Sequence, residues 1–448
     1  MALYKTAEKI LHQVASCKGS VKNLVFAAKY GNHKQLFALV CETLKYSDVL
    51  EEIIQQPMIS KYARGISYDL LKLLIYDHLF GKGLRCGGKN KKIIMGMQTI
   101  LQSTLARIKV KRGVSRNEDL CKSCQVIPKY LRINTLLTNA DDVLARLCND
   151  GYQLSLKKSV HLMKNEFVAD GHVKNLLMFN ARTDFHDHPL YTSGKIIFQD
   201  KASCFPALAL NPAPGAEVID ACAAPGNKTS LMAALMKNAG KIYAFDLDTR
   251  RLETMRKLLN KAGVKNCVVK GCDFLKVNPL DPVYAEVSGI LVDPSCSGSG
   301  IVSRLNQLTD STDSNENKRL KSLSDFQLLI LNHALTFPAV ESVVYSTCSV
   351  HEEENERVVM QAIALNPSFE LTRCLPDWPR RGRPIECFET EAHKCVRCDP
   401  AHDQTNGFFV ALFRKKVALD NADVCHKRKR KRKSRKKAKK RKLSDEQS

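Results

Sequence analysis

Apolar residues recur at spacings of three and four along residues 5 to 110, as in Ile10, Leu11 and Val14 or in Leu70, Leu71, Leu73, Leu74 and Ile75. Breaks fall at Gly31-Asn32 and Gly81-Lys-Gly83. That period predicts an all-helical N-terminal module over residues 1–115. From Pro128 the pattern changes. Tyr130 to Leu137 predicts a strand, Ala140 to Leu147 an amphipathic helix opened by Asn139, and Glu166 to Ala169 another strand. Residues 125–205 are therefore expected to form a small α/β module that leans on its neighbour and contacts a polyanionic partner, RNA. Beyond it, strand-length apolar runs alternate with helical stretches: Val218 to Ala221, a helix from Thr229, Lys241 to Asp246, a helix over Arg250 to Ala262, Cys267 to Lys270, Gly289 to Asp293, a helix from Ser324, Ser342 to Ser346, and a helix over Glu352 to Leu365. This alternation predicts an α/β fold with a mostly parallel, Rossmann-like sheet over residues 206–416. Glu370 to Arg373 and Gly407 to Phe413 close it as an antiparallel edge.

One junction in this pattern carries unusual chemistry. The strand ending in Asp220 delivers a turn of small residues, Ala223-Ala-Pro-Gly226, and then a helix start for which Thr229 or Ser230 is a candidate cap. Such a turn lets the backbone approach a ligand closely. A phosphate-binding loop needs a Gly four residues before its Gly-Lys pair, but Ala221 stands there and Asn227 separates Gly226 from Lys228. A dinucleotide fingerprint needs three glycines, and only Gly226 is present. An S-adenosylmethionine turn needs one tight turn and a carboxylate for the ribose, and Asp246 ends the next apolar strand where such an acid belongs. An ordinary strand-to-helix turn stays open on this element alone. Gln199 and Asp200, just upstream, are candidate polar lining for the ligand or for a base.

Charge narrows the partners. The 448 residues carry a net charge of +24 and are 44 % hydrophobic, enough for real cores. Fourteen of the cations, with no acid among them, fall between Lys427 and Lys442, so 24 less 14 leaves +10 on the rest. The tail, 417–448, is expected to be disordered and reads as a nuclear or nucleolar address with nonspecific RNA affinity. The remaining excess points to a polyanionic partner for the folded part. In the N-terminal module the basic stretches Gly88 to Lys92 and Lys109 to Arg112 fit either an RNA-contacting surface or a solvated rim. Seventeen cysteines without a signal peptide indicate a reducing compartment, and no long apolar span supports membrane insertion.

Ligands of open sheets bind beyond the carboxyl ends of the strands. Asp220, Asp246, Asp273, Asp293 and Cys348 all stand at or just after such ends, and two of these ends carry sulfur: Asp293-Pro-Ser-Cys296 and Thr347-Cys348. Two thiols at neighbouring strand ends suit covalent chemistry, with Ser349 a candidate cap for a helix beginning at Glu352 beside Cys348. Cytosine C5 is too electron-poor to attack a methyl sulfonium directly, so an enzyme methylating it adds a thiolate at C6 first. An acid at N3 helps, and Asp293 is the candidate; a base then removes the C5 proton.

The motifs Asp220-Ala-Cys-Ala-Ala-Pro-Gly-Asn-Lys-Thr229, Asp293-Pro-Ser-Cys-Ser-Gly-Ser-Gly300 and Tyr345-Ser-Thr-Cys-Ser349 resemble those of the Sun-domain RNA 5-cytosine methyltransferases. Tyr130-Leu-Arg-Ile-Asn-Thr135, Phe198-Gln-Asp200 and Gly407-Phe-Phe409 are similar to the flanking signatures of that family, in the same order over about residues 125 to 415. Within the family the chain looks closest to the fifth human Sun-domain group, which acts on ribosomal RNA. The resemblance implies that Cys222, Ala223, Ala224, Pro225, Gly226, Asn227 and Lys228 line S-adenosylmethionine. It implies further that Asp246 and Arg251 hold its ribose side, that Asp273 lies near the adenine, and that Asp293 sits between cofactor and base. By the same resemblance Cys348 is the nucleophile and Cys296 assists release of the methylated product, an order that the residues alone leave open. The implied substrate is a cytosine in ribosomal RNA, most naturally of the large subunit, either free or in a pre-ribosomal particle. A catalytically silent RNA-binding assembly factor is the alternative. Two departures stand out: Asn227 replaces the second Gly of the turn, and Pro294-Ser-Cys296 replaces Ala-Pro-Cys.

Two further features belong to no part of that scheme. Cys121-Lys-Ser-Cys124 and Cys395-Val-Arg-Cys398, with His393 and His402 nearby, have zinc-like spacing but no compact second half, so no metal is expected. Thr309 to Lys318 is polar and aperiodic and reads as a surface insertion, either neutral or lying over the mouth of the site.

Overall fold

The computed structural model describes residues 1–16, 21–120, 127–155, 162–301 and 314–416. Among these, eight helices, α1 (Ala2–Ala15) to α8 (Gln98–Lys111), share one core at the N-terminal end. Helix Tyr68–Leu79 forms its centre: Leu70, Leu71, Leu73, Leu74 and Ile75 are buried in near succession because neighbours surround it. Ile10, Leu11 and Val14 of α1 pack into the same core, and Tyr4 donates to the buried carboxylate of Asp77. The basic stretch ending α8 is partly paired, since Lys111 and Arg112 reach Glu52 at 2.9 and 2.7 Å.

Next comes a five-stranded sheet. Its elements in chain order are β1 (Lys129–Ile133), α9 (Ala140–Asn149), β2 (Gln153–Leu154), β3 (Glu166–Ala169), β4 (Leu176–Phe179), α10 (Pro189–Thr192) and β5 (Ile196–Phe198), and the strand order is β2-β3-β4-β1-β5. Asn139 caps α9 by accepting from the Asp142 amide, as its position suggests. The first strand is shorter than its apolar run, because Asn134 turns the chain and its Oδ1 accepts from Leu136 N at 3.2 Å. The same side chain donates to the carbonyls of Gly194 and Ala262, at 2.9 and 2.8 Å. Arg132, 2 % exposed, donates to Gln199 Oε1 at 2.6 Å and Ser230 Oγ at 2.7 Å. These two residues of β1 and its turn fasten the small sheet to the large one.

The large sheet contains α11 (Lys201–Leu210), β6 (Glu217–Asp220), α12 (Asn227–Leu235), β7 (Lys241–Phe245), α13 (Thr249–Lys261), β8 (Cys267–Lys270), β9 (Val287–Val292), α14 (Ser314–Leu335), β10 (Ser342–Thr347), α15 (Glu356–Leu365), β11 (Phe369–Thr372), β12 (Val396–Cys398) and β13 (Phe408–Lys415). Strand order is β11-β13-β10-β9-β6-β7-β8, with β12 added on β13. Strands β6 to β10 run parallel, and β13 is antiparallel to β10, β11 and β12. The chain winds outward from β6 to β8 and then returns to β9 on the other side of β6, so the switch point lies between β6 and β9. A crevice opens at such a point beyond the strand ends.

Two helix starts differ from the pattern. α14 begins at Ser314 rather than Ser324, so the last residues of the polar insertion are helical; residues 302–313 lie outside the described residues. α15 begins at Glu356 rather than Glu352, which places a turn, not a helix, directly after Cys348. Cys121, Cys124 and the tail from 417 also lie outside the described residues.

Candidate active site

The turn after β6 sits at the switch point. Asp220, at the end of the strand, is fully buried and accepts from Thr229 Oγ1 at 2.7 Å. Burial pushes its carboxyl up to about 7, with the Thr229 bond pulling the other way. Gly226 holds φ at +100°, and a Cβ there would meet Met255 Cγ at 3.0 Å and Leu259 Cδ2 at 3.3 Å on α13. Asn227 is the first residue of α12, so its helical backbone avoids the strain that a left-handed conformation would bring. Thr229 and Ser230 are inside α12, not at its cap. The helix has no side-chain cap at all, since Gly226 precedes it.

Asp246, just past β7, accepts the Ala224 amide at 3.1 Å and the Asp248 amide at 3.1 Å. Arg251, exposed on α13, donates to Ala224 O at 2.5 Å and lies 3.4 Å from Asp246. Together they brace the turn from the β7 side. Asp273 stands past β8 and accepts from Leu275 N at 3.1 Å.

On the other side of β6 the ends of β9 and β10 meet. Lys228 Nζ lies 2.5 Å from Asp293 Oδ2, and Ser346 Oγ donates to Asp293 Oδ1 at 2.7 Å. Burial opposes the charge of Lys228, but the Asp293 carboxylate outweighs it and holds the ammonium above the ordinary lysine range. The sulfurs of Cys296 and Cys348 are 3.2 Å apart. The hydrogen bond with Cys348, and burial after it, push the Cys296 thiol far above the usual range.

Buried groups hold both sulfur-bearing loops. Glu354 accepts from Ser297 N at 2.8 Å, Ser297 Oγ at 2.6 Å and Gln327 Nε2 at 2.9 Å, and Gln327 also donates to Ser295 O at 3.0 Å. Asn355 donates to Ser349 O at 3.0 Å, and the buried Glu356–Arg397 pair carries Arg397 to Val350 O at 3.0 Å. Gly300 donates its amide to Cys348 O at 2.9 Å and accepts Gly407 N at 2.8 Å. A Cβ on Gly300 would lie 2.2 Å from Gly407 O and 2.8 Å from Cys348 O, so the two loops close against each other only over a glycine. That contact accounts for glycines in both the Ser299-Gly300 and Gly407-Phe408 motifs.

Residues 207–414 match the 16S rRNA methyltransferase RsmB/F family. Residues 34–121 and 127–199 match the N-terminal and ferredoxin-like domains of NOL1/NOP2/Sun domain family member 5. The chain is 46 % identical to the 28S rRNA (cytosine-C(5))-methyltransferase of Mus musculus over 93 % of this chain and 91 % of the relative. The chain belongs to the Sun-domain RNA cytosine-5 methyltransferase family. A 25S rRNA (cytosine-C(5))-methyltransferase of Schizosaccharomyces pombe is 40 % identical over 92 % of this chain and 91 % of its own. A methyltransferase homolog from Pyrococcus horikoshii superposes with a TM-score of 0.53 at 26 % identity, over 81 % of this chain and all of that one. S-adenosylmethionine is the cofactor of Sun-domain methyltransferases, and an RNA base is their substrate.

Within this Sun-domain site the structure brings together Lys228, Asp293, Cys296 and Cys348 on one side of the turn, and Asp246 and Arg251 on the other. Gln199 and Asp200 do not line it. Gln199 is occupied by Arg132 and Ser203 O, and Asp200 accepts from Thr405, Asn406 and the Ala202 amide, so both are internal fasteners. Cys395 and Cys398 are buried beside β13, and among the described residues no three His, Cys, Asp or Glu side chains gather as a metal site would require. Gln327, Ser346 and Glu354 are the residues that the sequence did not single out. Only the apolar spacing of α14 hints at Gln327, as a polar residue on its inner face.

Proposed function

We propose that this protein methylates C5 of a cytosine in large-subunit ribosomal RNA, with Cys348 as the attacking thiolate and Cys296 as the group that permits release. The observation carrying this is the 3.2 Å approach of the two sulfurs beside an Asp293 that is gripped by Lys228 and Ser346. The mouse and fission-yeast relatives named for 28S and 25S rRNA support the substrate class.

The residues present fit S-adenosylmethionine. The first-turn amides of the uncapped α12 face an anionic group well, the Gly226 conformation keeps the turn bare, and the Asp246 carboxylate lies at a strand end suited to ribose hydroxyls. Cys222 to Lys228 would hold its amino-acid side, Asp246 and Arg251 its ribose, and Asp273 its adenine. When bound, it supplies an electrophilic methyl group.

The chain's own work is on the base. An unpaired cytosine leaves its stack at a cost of a few kcal/mol. Cys348 attacks as the thiolate, its own proton having passed to solvent, with the Cys296 thiol hydrogen-bonded to it. Its sulfur bonds to C6 while the Lys228 ammonium passes a proton to the Asp293 carboxylate as that group protonates N3, and the electron pair gained by the ring makes C5 a nucleophile. Once Cys348 is a thioether, the hydrogen bond that most strongly holds up the Cys296 thiol is gone. Cys296 then loses its proton to solvent and, as thiolate, takes the C5 proton after methylation; the electron pair left behind expels Cys348 as thiolate while the N3 proton returns through Asp293 to Lys228.

The basic run Lys427 to Lys442 supports a nucleolar location and work on assembling ribosomal particles. Bisulfite sequencing of rRNA from cells lacking this protein, rescued with wild type or Cys348→Ala, tests the reading. A large-subunit cytosine that loses its methyl group and regains it only with wild type is expected. No lost site would move the weight to a silent RNA-binding assembly factor.

A further inference from the structure

Behind the cofactor turn, on the side of α12 away from the sulfurs, a cleft of about 160 Å³ opens between the small sheet and α13. Its walls include Tyr191 of α10, Phe198 of β5 and Leu258 and Lys261 of α13, and Asn227 and Ser230 form part of its back. The Tyr191 and Phe198 rings are 4.6 Å apart. Lys261 Nζ lies 4.0 Å from the Tyr191 ring centre, and Lys129 Nζ lies 5.7 Å from that of Phe198. Helix α13 carries five Lys or Arg against a single acid. Leu258 is 37 % exposed, so the cleft has an open apolar lip.

Aromatic walls with cations over them, a few polar groups at the back and a basic rim are what an unstacked base with its phosphate requires. We infer that this cleft binds a second unpaired nucleotide of the RNA, distinct from the cytosine in the reacting crevice; this rests on the RNA-methyltransferase reading above. Helix α12 separates the two sites. Lys228 reaches forward to Asp293, whereas Ser230 lines the cleft and Gly226 and Asn227 border both sites, the Asn227 side chain donating to Phe198 O at 3.4 Å on the cleft side. The second nucleotide therefore governs how tightly the RNA is held and leaves the chemical step alone.

The test uses the full chain and two probes, a short single-stranded oligouridine and an abasic strand of the same length, followed by methylation of rRNA from cells lacking the protein. Two variants are compared, Tyr191→Ala and Leu258→Trp, the second filling the cleft while both rings stay; an unchanged unfolding midpoint checks folding. Each is expected to weaken oligouridine binding roughly 5- to 100-fold, with the salt dependence and the turnover at saturating rRNA unchanged. The abasic strand should bind wild type more weakly by a similar factor. Wild-type affinity in both variants, or equal binding of the abasic strand, overturns the cleft while leaving the methyltransferase reading intact. A wild-type protein that neither binds nor methylates rRNA overturns both.

Discussion

Gln327 and Glu354 are hydrogen-bonded to each other at 2.9 Å and hold the backbone on both sides of Cys296, Gln327 at the Ser295 carbonyl and Glu354 at the Ser297 amide. Both are fully buried. The loop that carries Cys296 thus takes its shape from two side chains in the interior. Removing the carboxylate leaves the Ser297 amide and the Gln327 donor unpaired in the interior. Glu354→Ala should lower the stability by about 1–3 kcal/mol and reduce turnover more than it weakens cofactor binding. Denaturant unfolding, calorimetry with S-adenosylmethionine and a turnover assay check this together. Glu354→Gln, which keeps an acceptor, should recover part of both losses.

Gly226 predicts a second effect. Its φ of +100° and the 3.0 Å approach to Met255 leave no room for a side chain. Gly226→Ala should cost about 1–2 kcal/mol of backbone strain and must also displace the Met255 side chain. Cofactor affinity should fall at least tenfold by calorimetry. An unchanged affinity would mean that the turn can relax without affecting the site.

Asp220 gives a dependence on pH. Burial raises its folded carboxyl from the usual 3.8 to about 7, so between these values the folded chain holds a proton that the unfolded chain releases. Its contribution to stability therefore falls as pH rises from 4 to 7 and is constant above. Asp220→Asn removes this titration. Relative to wild type, the variant should gain stability steadily across that window, by about 4 kcal/mol at most, and no further beyond pH 7. Unfolding curves at pH 5, 6, 7 and 8 measure the difference, and a difference independent of pH would contradict the assignment.

Much of the candidate site was legible because each proposed side chain follows an apolar run: Asp220, Asp246, Asp293 and Cys348 are where buried strands end, and burial of a parallel strand writes itself as continuous hydrophobicity. What lies beneath them was not legible. Glu354 shares its type with Glu352 and Glu353 beside it, yet only Glu354 is buried, because α15 starts late and the turn before it folds inward. Gln199 and Asp200 looked like ligand lining because they precede the turn, but packing between the two sheets occupies them. The strand Leu176–Phe179 was not singled out because its apolar run is only four residues long, too short for periodicity to tell a buried strand from other structure. Asn134 shortened the first strand by turning its side chain to local backbone, a contact that periodicity does not register.

The division of labour between the two sulfurs is tested most directly by trapping. Wild type, Cys296→Ala, Cys348→Ala and the double variant are incubated with S-adenosylmethionine and rRNA from cells lacking the protein, then run on a denaturing gel. Cys296→Ala should accumulate a covalent protein–RNA adduct, while wild type, Cys348→Ala and the double variant should show none. An adduct formed by Cys348→Ala and absent from Cys296→Ala would contradict the account and exchange the two roles.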